Sequence, residues 1–287
     1  MKASNTDQAH TLNKVTEVYY DSPEADNFYF NIWGGEDIHI GLYEETQDIS
    51  QASRATVAHM ANAIPTLSAD TKLIDLGSGY GGAARYLANQ FGCNVVCLNL
   101  SDVQNETNRR LNLEQKLDNL VSVVHGSFEN IPEPANKFDV VWSQDAILHS
   151  NNREQVIAEA WRILKPGGVM IYTDPMQADN CPPDVLQPVL DRIHLDSLGS
   201  FSSYKDMADK CRFSDFQKED MTHNLRIHYS RVLEELERNF ASMCTISSRD
   251  YIERMMVGLQ HWIDAAKADH LAWGTIKLTK PKSILIT

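Results

Sequence analysis

The strongest chemical signal in the chain is the run Leu73-Ile74-Asp75-Leu76-Gly77-Ser78-Gly79-Tyr80-Gly81-Gly82. Glycines just past an apolar strand let the backbone turn sharply and approach a ligand closely, because no Cβ intervenes. Gly77, Gly79 and Gly82 satisfy the G-x-G-x-x-G spacing of dinucleotide sites, so a nicotinamide cofactor has to be weighed. Two residues argue against it. Asp75 stands at the strand end, where a pyrophosphate would meet a fixed negative charge. Dinucleotide sites also want a carboxylate on the ribose hydroxyls after the second strand, and the matching residue here is the neutral Asn99. Asp75 instead suits a ligand with an ammonium group and no phosphate, such as the methionine end of S-adenosylmethionine.

Further residues fall at strand ends, where a doubly wound sheet opens its crevice. Asn99 ends the second strand, followed by Leu100, and Ser101 and Gln104 have the spacing of a capping box. Asn99 and Gln104 are able to hydrogen-bond ribose hydroxyls, with helix capping as the competing role for Gln104. Past the third strand, Ser127 and Phe128 offer a polar group and a ring to an adenine; Phe128 serves equally well as core filler. Past the fourth strand the chain reads Ser143-Gln144-Asp145-Ala146-Ile147-Leu148-His149. The N/D-P-P-Y/F motif of DNA amino-methyltransferases does not occur there. His149 is the most capable acid–base group on this edge, since a neutral imidazole accepts a proton near pH 7; its alternative is a helix-start histidine satisfied by backbone. Lys165-Pro166-Gly167-Gly168 reads as a helix stop.

These residues need a frame, and strands alternate with helices from about residue 70 to Met176. Expected strands are Lys72–Leu76, Asn94–Leu100, Asn119–Val124, Phe138–Ser143 and Val169–Thr173, with helices at Ala83–Phe91, from Ser101, and at Arg153–Leu164. Repeated β-α-β units with right-handed crossovers give a parallel sheet with helices on both faces, the doubly wound α/β class. The expected division is an arm and cap over 1–67, a cofactor-binding core over 68–176, a helical insertion with a possible core strand over 177–270, and a terminal sheet strand over 271–287. In the first segment Val57, Met60, Ala61 and Ile64 fall on one helical face before Pro65.

Lys and Arg number 26 against 39 Asp and Glu, a formal net charge of -13. Such a chain repels a polyanion or an anionic membrane unless it groups its few cations, so a small-molecule partner is expected and nucleic acid and membrane are not. The acidity has solubility as its plainer meaning. The cysteines, 93, 97, 181, 211 and 244, are odd in number and lack C-x-x-C spacing, against a disulfide framework or a metal site. The polar N-terminus and the lack of a long apolar window point to a cytoplasmic protein. Nothing in the sequence indicates a particular oligomeric state.

The glycine run, taken with Arg162-Ile163-Leu164-Lys165-Pro166-Gly167-Gly168, resembles class I S-adenosylmethionine-dependent methyltransferases. The longer strings YYDSPEADNFYFNIWGGEDIHIGLY (19–43), CLNLSDVQN (97–105), WSQDAILHS (142–150), TDPM (173–176) and HYSRV (228–232) together resemble sarcosine/dimethylglycine N-methyltransferases, over nearly the whole chain. Those enzymes methylate sarcosine to dimethylglycine and then to glycine betaine. The resemblance implies a Rossmann-like fold with a seven-stranded sheet and one antiparallel strand. It implies S-adenosylmethionine as cofactor, with Gly77, Ser78, Gly79 and Gly81 cradling its methionine and ribose part. Asn99, Leu100 and Gln104 would hold the ribose, Ser127 and Phe128 the adenine, and Gln144 the region near the sulfonium. Tyr20 would close over it as part of an arm. The wider family usually has an acid at the Asn99 position, so the asparagine implies a modest cofactor affinity.

An amine acceptor must be presented neutral, and the developing cation must be stabilised. Seven aromatics stand between Tyr19 and Tyr43, and an aromatic wall attracts an alkylammonium by about 0.5–2 kcal/mol per good contact. Tyr29 and Trp33 are the expected substrate contacts, with packing of the arm onto the core as the other use of this segment. Met176 is placed with them. Arg192, His228 and Tyr229 are the candidates for the substrate carboxylate, and His149 for the proton. The competing functions are methylation of phosphoethanolamine or a lipid, and binding of the cofactor without catalysis.

Overall fold

The first strand, β1 (Lys72–Leu76), is buried at every residue but Lys72, as a strand inside a parallel sheet covered on both faces has to be. The structure is a computed structural model and describes residues 21–193 and 195–282. On one side of β1 lie β2 (Asn94–Asn99) and β3 (Val121–His125), and on the other β4 (Phe138–Gln144) and β5 (Leu164–Gln177), all parallel. The edge strand β6 (Ser214–Asp220) pairs antiparallel with β7 (Leu271–Thr279), which itself pairs antiparallel with β5. The order β3-β2-β1-β4-β5-β7-β6 makes one seven-stranded sheet. This is the doubly wound, Rossmann-like methyltransferase architecture expected from the sequence. Strand order reverses between β1 and β4, so the crevice opens at their carboxyl ends.

β5 is longer than its apolar run because β7 pairs with each of its residues from Val169 to Gln177. The preceding helix stops at Ile163, and Leu164 already pairs with Phe138. The stop at Lys165–Gly168 therefore lies within the entry to β5.

Before the sheet, α1 (Pro23–Phe28) runs into a single π-helical turn at Tyr29–Trp33. An irregular strap, residues 34–48, then leads to α2 (Ile49–Asn62), whose first turn is capped by Asp48 accepting from the Gln51 N–H at 2.8 Å. Val57, Met60 and Ala61 bury the expected face of α2. The crossovers are α3 (Gly82–Phe91), α4 (Asp102–Glu114) and α5 (Arg153–Ile163). After β5 come α6 (Gln187–Ile193), α7 (Phe201–Lys210), α8 (Thr222–Arg238), the short α9 (Phe240–Met243) and α10 (Arg249–Lys267). α6, α8 and α10 pack with the arm around one apolar cluster. At its centre Tyr229 stacks on Trp262 with ring centroids 4.7 Å apart. Among the described residues no helix is long and apolar enough to cross a membrane.

Candidate functional site: a glycine-floored crevice under a laced strap

The strap is tied down by buried polar contacts from elements far away in sequence. Arg85 on α3, only 2% exposed, donates to Glu36 Oε2 at 2.7 Å, to Asn108 and Asn112 Oδ1 at 3.0 Å, and to the Tyr80 carbonyl. Arg54 on α2 holds Asp37 Oδ2 at 2.6 Å. Ser53 and Thr56 donate to the carbonyls of His39 and Ile40. Each such contact is worth about 1 kcal/mol net, and more where a charge is involved. Together they hold residues 36–40 over the carboxyl ends of β1 and β4.

Asp145, one residue past β4, completes the lacing. Its Oδ2 accepts the Ile40 N–H at 2.7 Å and its Oδ1 accepts Trp273 Nε1–H at 2.9 Å. Its φ is +49°, a left-handed conformation that aspartate tolerates better than most residues. Burial raises its carboxyl above the usual range, opposed by the hydrogen bonds it accepts from Ile40 and Trp273.

Beside it, Gln144 Oε1 accepts Trp142 Nε1–H at 2.9 Å, which leaves the Gln144 amide N–H to face His39 Nε2 at 3.1 Å. His39 therefore accepts at Nε2 and carries its proton on Nδ1, toward the Ile40 carbonyl. Burial lowers His39 to about 4, consistent with a neutral ring.

The turn Ile147–His149 is set from β5, where Asp174 accepts the Leu148 N–H at 2.9 Å and the Tyr204 hydroxyl at 2.5 Å. The half-buried His149 is lowered to about 4, first by burial and then by Arg153. It is a neutral imidazole at physiological pH.

Under the strap lie two adjoining cavities. The larger, about 700 Å³, is lined by Gly77, Gly79, Asn99, Leu100, Gln104, Phe128, Gln144 and His149 of the expected residues. Ile38, Ser101, Gly126, Asp145 and Ala146 line it as well. The smaller, about 310 Å³, adds Asp75 and Ser78, with Glu36, Asp37, His39, Gly82 and Ala83, and shares Ile38, Gly77, Gly79 and Gln144 with its neighbour. The other expected residues lie elsewhere. Gly81 is the N-cap of α3 with φ +78°, and Ser127 Oγ accepts the Glu129 N–H. Tyr20 lies outside the described residues.

Tyr29, Trp33, His228 and Tyr229 come together, but within the roof and not in either cavity wall. Trp33 stands 5.3 Å from the His228 ring and 5.5 Å from that of Tyr229, and Tyr29 stands 5.4 Å from Trp33. His228 Nδ1 accepts the Gly41 N–H, which braces the strap from behind. Met176 is buried in β5 opposite Ala272. Arg192 lies in a separate surface groove, its side chain laid over Gly258 of α10. Among the residues that sequence reasoning missed, Asp145 carried a usable signal: it stands beyond the tip of β4, at the point where strand order reverses.

The crevice fits S-adenosylmethionine. At Gly77 (φ +73°) an added Cβ would lie 2.4 Å from Ala146 Cβ, so only a bare Cα leaves the floor open. Asn99 Nδ2 donates to Gln104 Oε1 at 3.0 Å, which leaves Asn99 Oδ1 to accept from a ribose hydroxyl. Ser101 caps α4 by accepting the Gln104 N–H, while the Gln104 side chain turns to Asn99. Phe128 offers a ring to the larger cavity and Asp75 a buried carboxyl to the smaller.

The family profile described as a methyltransferase domain matches residues 74–172, from inside β1 to inside β5. The chain is 50% identical over 275 residues to a sarcosine/dimethylglycine N-methyltransferase of Aphanothece halophytica, covering 96% of this chain and 99% of that one. It is 48% identical to the enzyme of the same name from Halorhodospira halochloris, over 93% of this chain and 96% of that one. It also superposes on the crystal structure of a candidate sarcosine dimethylglycine methyltransferase from Galdieria sulphuraria with a TM-score of 0.87. The identity there is 40%, over 93% of this chain and 100% of that one. With the sheet order, the glycine floor and the strap all in place, the chain belongs to the sarcosine/dimethylglycine N-methyltransferases, enzymes that use S-adenosylmethionine as cofactor.

Proposed function

We propose that this enzyme methylates sarcosine and dimethylglycine at nitrogen, completing glycine betaine. The observation that carries the reading is the wall of the larger cavity, which Asp145 and His149 line together with the glycine turn. S-adenosylmethionine supplies an electrophilic methyl group on a sulfonium. The acceptor nitrogen forms the new N–C bond with its lone pair as the S–C bond breaks, and the electron pair stays on sulfur. That step requires alignment and a neutral amine, and alignment alone is worth several kcal/mol of effective concentration.

Neutral His149 adds no positive charge beside two cationic centres and offers a lone pair to the N–H that has to be lost. The Asp145 carboxylate faces the ammonium that forms. Dimethylglycine gives a quaternary product with no proton left to manage; sarcosine gives a tertiary ammonium that sheds one. Among the described residues the cavity wall holds no lysine or arginine, where a phosphomonoester, with two negative charges, calls for at least one. A single carboxylate can be held by neutral N–H donors. The five free thiols support a cytoplasmic setting.

Purified protein with methyl-labelled S-adenosylmethionine is expected to label sarcosine and dimethylglycine, the latter as betaine. Labelled phosphoethanolamine alone would move the enzyme to the other acceptor class. Cofactor binding with no transfer to any amine would make the chain a non-catalytic binder.

The cofactor end gives a second expectation. Burial, and then the charge of Asp37, raise Asp75 to about 7. An ammonium ligand binds the ionised carboxylate, so affinity is full above pH 7. It falls as pH drops through 7, by up to about tenfold per pH unit. Calorimetric titration with S-adenosylhomocysteine from pH 5.5 to 8.5 measures this. 5′-Methylthioadenosine, which lacks the amino-acid end, should show a flat profile; equal slopes for both ligands count against Asp75 as the ammonium contact.

A further inference from the structure

The smaller cavity holds a carboxylate oxygen that the fold leaves unused. Asp37 is 4% exposed, and its Oδ2 is taken by Arg54. Its Oδ1 is buried with no hydrogen-bond partner among the described residues. His39 Nε2, 3.9 Å away, has its lone pair engaged by Gln144 and no proton to give. A buried acceptor without a donor is costly, the more so when charged, so native structures rarely retain one without a use.

The surroundings hold Asp37 in this position. Gly82, the first residue of α3, would carry a Cβ only 2.2 Å from Asp37 Oδ1, so the carboxylate lies against a bare Cα at the helix start. Asp75 lines the same cavity, which also includes Ser78 and Gln144. The acidic lining of the smaller cavity suits an amino-acid end, while the adjoining cavity, with Asn99, Gln104 and Phe128 in its wall, takes the nucleoside.

We infer that Asp37 binds the α-ammonium of the cofactor's methionine portion from the strap side, opposite Asp75 on the sheet. The strap would then be part of the cofactor site as well as its cover, and its seating would depend on the cofactor's amino group. The inference rests on S-adenosylmethionine being the cofactor. The electrostatics agree with it: burial raises Asp37 to about 6 with Arg54 opposing, and burial, then the Asp37 charge, raises Asp75, as expected of two acids placed to share a cation.

The test compares two ligands on Asp37→Asn, which keeps the shape of the side chain and an oxygen for Arg54. S-adenosylhomocysteine carries the ammonium; 5′-methylthioadenosine keeps only the nucleoside. The dissociation constant for S-adenosylhomocysteine is expected to rise at least tenfold, and that for 5′-methylthioadenosine to change less than threefold. Equal losses for the two ligands, or no loss for either, overturn the inference. Gly82→Ala, which keeps the charge but pushes the carboxylate and the adjoining Glu36 carbonyl away from the helix start, is expected to weaken S-adenosylhomocysteine more than 5′-methylthioadenosine and stands in if Asp37→Asn does not fold. Wild-type protein that binds neither ligand would remove the cofactor reading itself, a result distinct from any behaviour of the variants.

Discussion

Asp145→Asn is expected to lower kcat for dimethylglycine by roughly 10²–10³-fold, the scale on which preorganised groups stabilise developing charge. S-adenosylhomocysteine affinity should stay within about threefold. The substitution isolates charge because asparagine shares aspartate's tolerance of the left-handed backbone found here, φ +49°. It keeps one acceptor oxygen, so either Ile40 N–H or Trp273 Nε1–H loses its partner, a stability cost of about 1–3 kcal/mol. A thermal melt reads that cost separately from turnover. If Asp145 only laces the strap, the melt should shift while kcat holds in the population that stays folded. If it faces the forming ammonium, kcat falls even well below the melting temperature, and the loss persists at saturating dimethylglycine. Retained kcat at saturation would remove Asp145 from the chemistry.

The residues that such an experiment addresses were unevenly legible beforehand. β1 and its glycine turn stand out because a central parallel strand has to be apolar on both faces and its ligand-side turn has to lack side chains. Asn99 and Gln104 were visible by position, but their pairing was not. The capping spacing correctly marked Ser101, yet the Gln104 side chain answers to Asn99 and not to the helix end. Aromatic density in the arm reported burial without saying against what. Tyr29 and Trp33 pack into the roof with His228 and Tyr229, residues about 200 positions away, and no local pattern encodes that meeting.

The strap was the least legible part. Glu36 to Gly41 has neither helical nor strand period, and its shape comes from partners such as Asp145, 105 residues away in sequence from Ile40. β6 was hidden for the opposite reason. It is an edge strand exposed along nearly its whole length, so Ser214–Asp220 carries almost no apolar signal, and its order comes from pairing with β7.

Gly77→Ala is the second variant with a large expected effect: S-adenosylhomocysteine binding should weaken by more than about 10²-fold, and turnover should fall with it. Two costs combine. At φ +73° an L-residue is strained by about 1–2 kcal/mol. The new methyl group would also lie 2.4 Å from Ala146 Cβ, where carbon atoms prefer about 3.5–4.0 Å. Relief requires a shift of an ångström or more in either the glycine turn or Ala146. Ala146 joins Asp145 to the turn that carries His149, so the displacement reaches both residues proposed to face the acceptor. A misplacement of about 1 Å is itself enough to cost roughly 10²-fold in rate. Gly35 provides the control, since it has nearly the same φ, +75°, with nothing within 4 Å of an added Cβ. Gly35→Ala therefore carries the dihedral strain without the collision, and should lose a little stability while keeping cofactor affinity. If the two variants bind S-adenosylhomocysteine alike, strain alone accounts for Gly77, and the contact with Ala146 does not shape the crevice.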